Sequence, residues 1–105
     1  MSEFKRHNFK KLKVWQMAME LAKIIFELTK TFPNSEQFGL TGQMNRCAVS
    51  MPSNIAEGSS RTNKSFSHFL DIALGSSFEV QTQVLLANAK GYISQELAIE
   101  LEEKI

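Results

Sequence analysis

The run Arg46-Cys47-Ala48-Val49-Ser50-Met51-Pro52-Ser53-Asn54-Ile55-Ala56-Glu57-Gly58 carries helical spacing straight through a proline. An interior proline removes one backbone hydrogen bond and crowds the carbonyl four residues back, here that of Ala48, at about 3 kcal/mol. Packing must offset that cost. On a helical wheel Leu40, Met44, Ala48, Met51 and Ile55 share one side, and Arg46, Ser50, Ser53, Asn54 and Glu57 share the other. The pattern is helical before and after Pro52. A kinked helix is therefore expected over residues 40–57, with Gly58 stopping it as the first residue past its end.

The same spacing recurs along the chain. Helix one is expected from Leu12 to Thr31, closed by Phe32-Pro33. It bears two apolar stripes: Val14, Met17, Ala18, Leu21, Ile24, Ile25 and Leu28 form one, and Trp15, Met19, Ala22, Phe26 and Thr29 the other. A helix apolar around most of its circumference is buried beyond what one bundle supplies. Trp15, Met19, Ala22 and Phe26 are thus expected at an interface with another subunit. Thr62 is the expected N-cap of helix three, Asn63 to Lys90, which buries Phe66, Phe69, Leu70, Ala73, Val80, Val84 and Ala87. Gly75 in its middle is expected where another helix backbone approaches closely. Gly91 ends that helix, Ser94 caps helix four, and Leu97, Leu101 and Ile105 make a short apolar stripe. The expectation is an all-α fold, one domain over residues 1–105, built as an up-down-up-down antiparallel four-helix bundle with a short fourth helix.

Three groups of residues resemble one known family. They are Arg46, Ser50, Pro52, Asn54, Ile55, Ala56, Glu57, Gly58 and Arg61; then Phe66, Phe69, Leu70, Ile72, Ala73, Gly75, Ser76, Glu79 and Thr82; and Phe9, Leu12, Val14 and Trp15 at the start. Together they are similar to the 23S ribosomal RNA intervening-sequence proteins, a family of four-helix bundles. Cys47 stands where a second arginine is common in that family, whose last helix usually extends further than Ile105. The accessory protein of diversity-generating retroelements resembles the same pattern. That likeness implies a ring-shaped homopentamer that binds nucleic acid and a polymerase, the reverse transcriptase.

Composition narrows the function classes. The net charge of 105 residues is only +1, so bulk electrostatics do not announce a nucleic-acid binder. The distribution says more: residues 1–64 carry ten Lys/Arg against five Asp/Glu, while residues 65–105 carry two against six. The single cysteine rules out an internal disulfide and suits a reducing cytoplasm. No apolar run approaches the roughly 18–20 residues that span a bilayer.

Enzymatic signatures are scarce. Paired Glu-x-x-His motifs of di-iron bundles are missing, since Ser60 follows Glu57 by three residues and Thr82 follows Glu79 by three. His68 and Asp71 have no nucleophile elbow, and Cys47 reads as a small residue at the core edge. No catalytic residue, cofactor or metal is expected. Arg46, Ser50, Asn54, Glu57 and Glu79 are expected to form a polar network between helices two and three. Within it, Arg46 pairs with Glu79, Glu57 finds Arg61 or the opening amides of helix three, and Ser50 and Asn54 lie near the carbonyl freed by Pro52.

In an up-down bundle the start of helix one, the end of helix two and the start of helix three share a pole. That pole gathers Lys5, Arg6, Lys10, Lys11, Lys13, Arg61 and Lys64, with Phe4 and Phe9 interleaved as candidate stacking rings. Glu100, Glu102 and Glu103 are expected to neutralise part of it. Lysines at the first turn oppose the helix dipole, so helix stability does not account for them. The expected function is a non-enzymatic homo-oligomer that binds structured RNA or DNA through this pole, with no membrane association. The alternative is a protein-interaction module gripping a partner such as a polymerase.

Overall fold

The computed structural model describes residues 8–105; Lys5, Arg6 and Phe4 lie outside the described residues. Four helices form: α1, Lys13–Thr29; α2, Leu40–Ser59; α3, Asn63–Ala89; and α4, Gln95–Lys104. Short 3-10 turns precede α1 at Phe9–Lys11 and α2 at Asn34–Glu36. No strand occurs among the described residues. The chain belongs to the all-α class.

Local chemistry fixes the boundaries of α3 and α4. Thr62 Oγ1 accepts from Ser65 N at 3.3 Å and Ser94 Oγ from Leu97 N at 3.1 Å, each satisfying an amide that the helix itself leaves unpaired. At the other end of α3 the chain turns through Gly91 at φ 80°. There Tyr92 N bonds Ala87 O and Gly91 N bonds Asn88 O, the paired bonds of a Schellman ending.

Helix α2 runs unbroken through Pro52, which is buried along with Met44, Ala48, Met51 and Ile55. It touches both α1 and α3, and α4 packs on α3. Between α2 and α3, Cys47 meets Gln83, Ser50 meets Ser76, and Gly58 meets Phe69. Likewise Thr29 near the end of α1 donates to Asn45 Oδ1 near the start of α2 at 2.9 Å. Ile25, Met44, Ala48, Val80, Val84 and Ala87 are fully enclosed in the shared core. Removing Ile25 side-chain atoms down to alanine would cost about 2–5 kcal/mol by the usual cavity penalty.

Two glycines behave differently from the sequence expectation. Gly58 does not stop α2, which continues to Ser59. It is instead the site of close approach: a Cβ there would lie 2.5 Å from Phe69 Cβ and 3.1 Å from Phe66 Cδ1. Gly75, expected to face a helix backbone, has nothing within 4 Å of its would-be Cβ. It sits on the outward side of α3, because the residues of that helix that face the core are Ala73, Ser76, Val80 and Val84.

Candidate nucleic-acid interface

The turn Phe9–Lys11 is capped by Asn8 and tied to α1 at two points. Asn8 Oδ1 accepts from Lys10 N at 3.3 Å, Gln16 Nε2 donates to Lys10 O at 3.0 Å, and the Phe9 ring meets Trp15 edge-on at 5.3 Å. The turn also touches α2. These ties hold Lys10, Lys11 and Lys13 at the opening of α1, all three exposed. That opening has no side-chain cap and no acidic residue in its first turn. Positive charge there is unfavourable by some tenths of a kcal/mol, roughly 0.3–1 per group.

At the α2–α3 turn Arg61 Nη2 pairs with Glu57 Oε1 at 2.8 Å, and its guanidinium lies 5.1 Å from the centre of the Phe69 ring. Lys64 is exposed in the first turn of α3. Of the seven cations selected from sequence, Lys10, Lys11, Lys13 and Lys64 thus make no ion pair among the described residues, and Arg61 is already held. The glutamates expected to neutralise this end do not pair with these lysines. Glu102 accepts from Gln81 Nε2 at 3.1 Å, and Glu100 and Glu103 are exposed.

The polar residues between α2 and α3 are brought together in part. Ser50 and Ser76 share a hydrogen bond of 2.8 Å, and Asn54 Nδ2 donates to both Ser50 O at 2.8 Å and Ser50 Oγ at 2.9 Å. Asn54 therefore serves the Ser50 carbonyl, not that of Ala48. The expected Arg46–Glu79 ion pair does not form. One residue further along the helix is about a quarter to a third of a turn, and that rotation points Cys47, not Arg46, at α3. Glu79 Oε2 accepts from Cys47 Sγ at 3.6 Å, and buried Gln83 donates Nε2 to the same sulfur at 3.4 Å. Burial pushes the Cys47 thiol above its ordinary pKa, with Glu79 adding to the rise. A thiol so placed is a poor nucleophile at neutral pH.

A strong cluster at the opposite end of α2 was not visible in the sequence. Glu36 Oε1 accepts from Leu40 N at 3.0 Å, while Oε2 accepts from Lys90 Nζ at 2.7 Å and from Tyr92 OH at 2.6 Å. Lys90 first, then Tyr92 and the Leu40 amide, lower the Glu36 carboxyl from 4.5 to about 2. The bond to Glu36 raises both Lys90 and Tyr92 in return. Phe32 packs against Tyr92 at 5.2 Å beneath this clasp. An acid just ahead of a helix is the only local hint; its partners lie 54 and 56 residues away.

The four residues expected at a subunit interface are mostly used inside the protomer. Ala22 is buried, Trp15 packs on Phe9 and the core, Met19 is half-buried, and Phe26 is 36% exposed. Besides Phe26, apolar side chains are exposed at Val14 and Met17 of α1, at Phe38 ahead of α2, at Val49 of α2, at Ile99 of α4 and along α3, Leu74 and Phe78 among them. Val14, Met17, Leu70, Leu74 and Ile105 line an open groove of about 270 Å³. Among the described residues no three His, Cys, Asp or Glu side chains are grouped to hold a metal ion. No helix there is long and apolar enough to cross a membrane.

The sequence profile of the 23S rRNA-intervening sequence protein family matches residues 10–105. The chain belongs to that family. No curated protein matches it.

Proposed function

We propose that this chain is a non-enzymatic, cytoplasmic up-down-up-down antiparallel bundle, bent at Pro52, that self-associates and binds structured RNA or DNA through one pole. The reading rests on Lys10, Lys11, Lys13 and Lys64, which are exposed, make no ion pair among the described residues, and in three cases crowd a helix start that disfavours them. Cations held against the local dipole and left without an anion suit an external phosphate. Self-association would bring several such poles together, and the exposed Val14, Met17, Leu74 and Phe78 supply apolar surface for it. A ring of five is the form that a resemblance to the accessory protein of diversity-generating retroelements implies.

Gel-shift titration against salt tests the reading. Lys10, Lys11, Lys13 and Lys64 changed together to Gln should leave the helical content intact and weaken binding. The slope of log affinity against log salt should shrink by roughly 0.7–0.9 for each phosphate that is no longer neutralised. An unchanged slope would refute the assignment.

The same apolar groove supports the second reading, a module that grips a protein such as a polymerase. A protein partner bound through Val14, Met17 and Leu74 would be insensitive to salt and would survive the lysine substitutions.

A further inference from the structure

Building on the nucleic-acid reading, we infer that the ligand of this pole is a duplex, held by its phosphates with no reading of base sequence. Single-strand binders present open aromatic faces on which bases stack, each stack contributing about 1–3 kcal/mol. The described rings near the lysines are already engaged. Phe9 is set edge-on against Trp15, and Trp15 packs against the core. Phe69 carries Arg61 over its ring, meets His68 edge-on at 5.9 Å, and presses on Gly58. Phe66 packs against the core as well.

Base reading is likewise undersupplied. Arginine is the commonest reader of guanine because its fork matches two acceptors at once. Arg61 is the arginine described at this pole, and Glu57 and Phe69 hold its guanidinium. What remains without an ion pair among the described residues is a set of lysine ammonium groups, which are point charges without a fixed fork. Such groups favour the polyanion with the higher charge density. A duplex carries one charge per roughly 1.7 Å of axis, about twice the density of a single strand. Duplex RNA and duplex DNA share this chemistry, and the experiment separates them.

Fluorescence anisotropy on the full chain, with labelled probes of about twenty nucleotides at low salt, gives the comparison. The arms are duplex RNA, duplex DNA of high and low G·C content, and the matching single strands. Both DNA duplexes should bind within about threefold of each other, and single strands about tenfold or more weakly than either duplex type. Whichever of duplex RNA or duplex DNA binds more tightly names the source of the backbone. Trp15 is the sole tryptophan, so its emission reports stacking directly and should stay unquenched at saturation. Single strands binding as tightly as duplexes, quenching of Trp15, or a base-composition preference above about tenfold would overturn the inference while leaving nucleic-acid binding in place. Absence of binding to every probe would overturn both.

Discussion

The two ends of α2 handle charge in opposite ways. At its start, Glu36 receives Lys90, Tyr92 and the Leu40 amide, so the carboxylate is met by a cation and two further donors. At its finish, beside the openings of α1 and α3, Lys10, Lys11, Lys13 and Lys64 have no described anion, and order comes from Gly58 pressed on Phe66 and Phe69. The first end uses its charges to join two connections that are distant in sequence. The second is held together by apolar contact and, the Arg61–Glu57 pair apart, its cations make no ion pair among the described residues. Where packing already secures an end of the bundle, unpaired cations on it are available for an external anion.

The sharpest way to break this contrast is Gly58→Ala. The added methyl has no room against Phe69, so either the α2–α3 hairpin spreads or Phe69 leaves its rotamer, at about 1–3 kcal/mol. Thermal unfolding by circular dichroism reads it. An unchanged midpoint would mean that apolar contact does not hold the basic end.

Glu36→Gln tests the other end. Its depressed carboxyl contributes stability that is present above the ordinary value of 4.5 and is lost as pH falls toward about 2. The wild type should therefore lose melting temperature between those pH values more steeply than Glu36→Gln, which should melt lower at neutral pH. Equal acid profiles would show that the clasp contributes no net stability.

A smaller effect of opposite sign belongs to Gly75→Ala. A Cβ there meets nothing, and alanine restricts the unfolded chain, so a gain of about 0.5–1 kcal/mol is expected for the protomer. Loss of assembly by light scattering, without loss of helicity, would instead place Gly75 under a second copy. Smallest of all, single substitutions of Lys10, Lys11, Lys13 or Lys64 by Gln should move stability by less than about 0.5 kcal/mol. A larger loss from any of them would show that it carries a structural role after all.

Much of the helix layout was legible because it is written in short-range chemistry. Thr62 and Ser94 cap through bonds spanning three residues, Gly91 turns the chain with its own φ, and the apolar spacing of Leu40, Met44, Ala48, Met51 and Ile55 marks the buried face of α2. The boundaries expected for the second and third helices fall within two residues of those found. The lysines of the basic end were legible too, since their number and their place at or just before predicted helix starts need no coordinates. Pairings across helices were not. Cys47 and Arg46 are adjacent in sequence, and only the rotation of α2 against α3 decides which of them meets Glu79.

Helices, caps and the uneven spread of charge follow from the order of the amino acids alone, because each depends on residues within a turn or so of one another. Packing in three dimensions was needed to make Gly58 and not Gly75 the close contact, to draw Lys90 and Tyr92 onto Glu36, and to hold Arg61 while four lysines make no ion pair among the described residues. These outcomes depend on helix rotation and register, set by the packing of the whole core. A shift of one residue turns a side chain by about 100° and changes its neighbours completely.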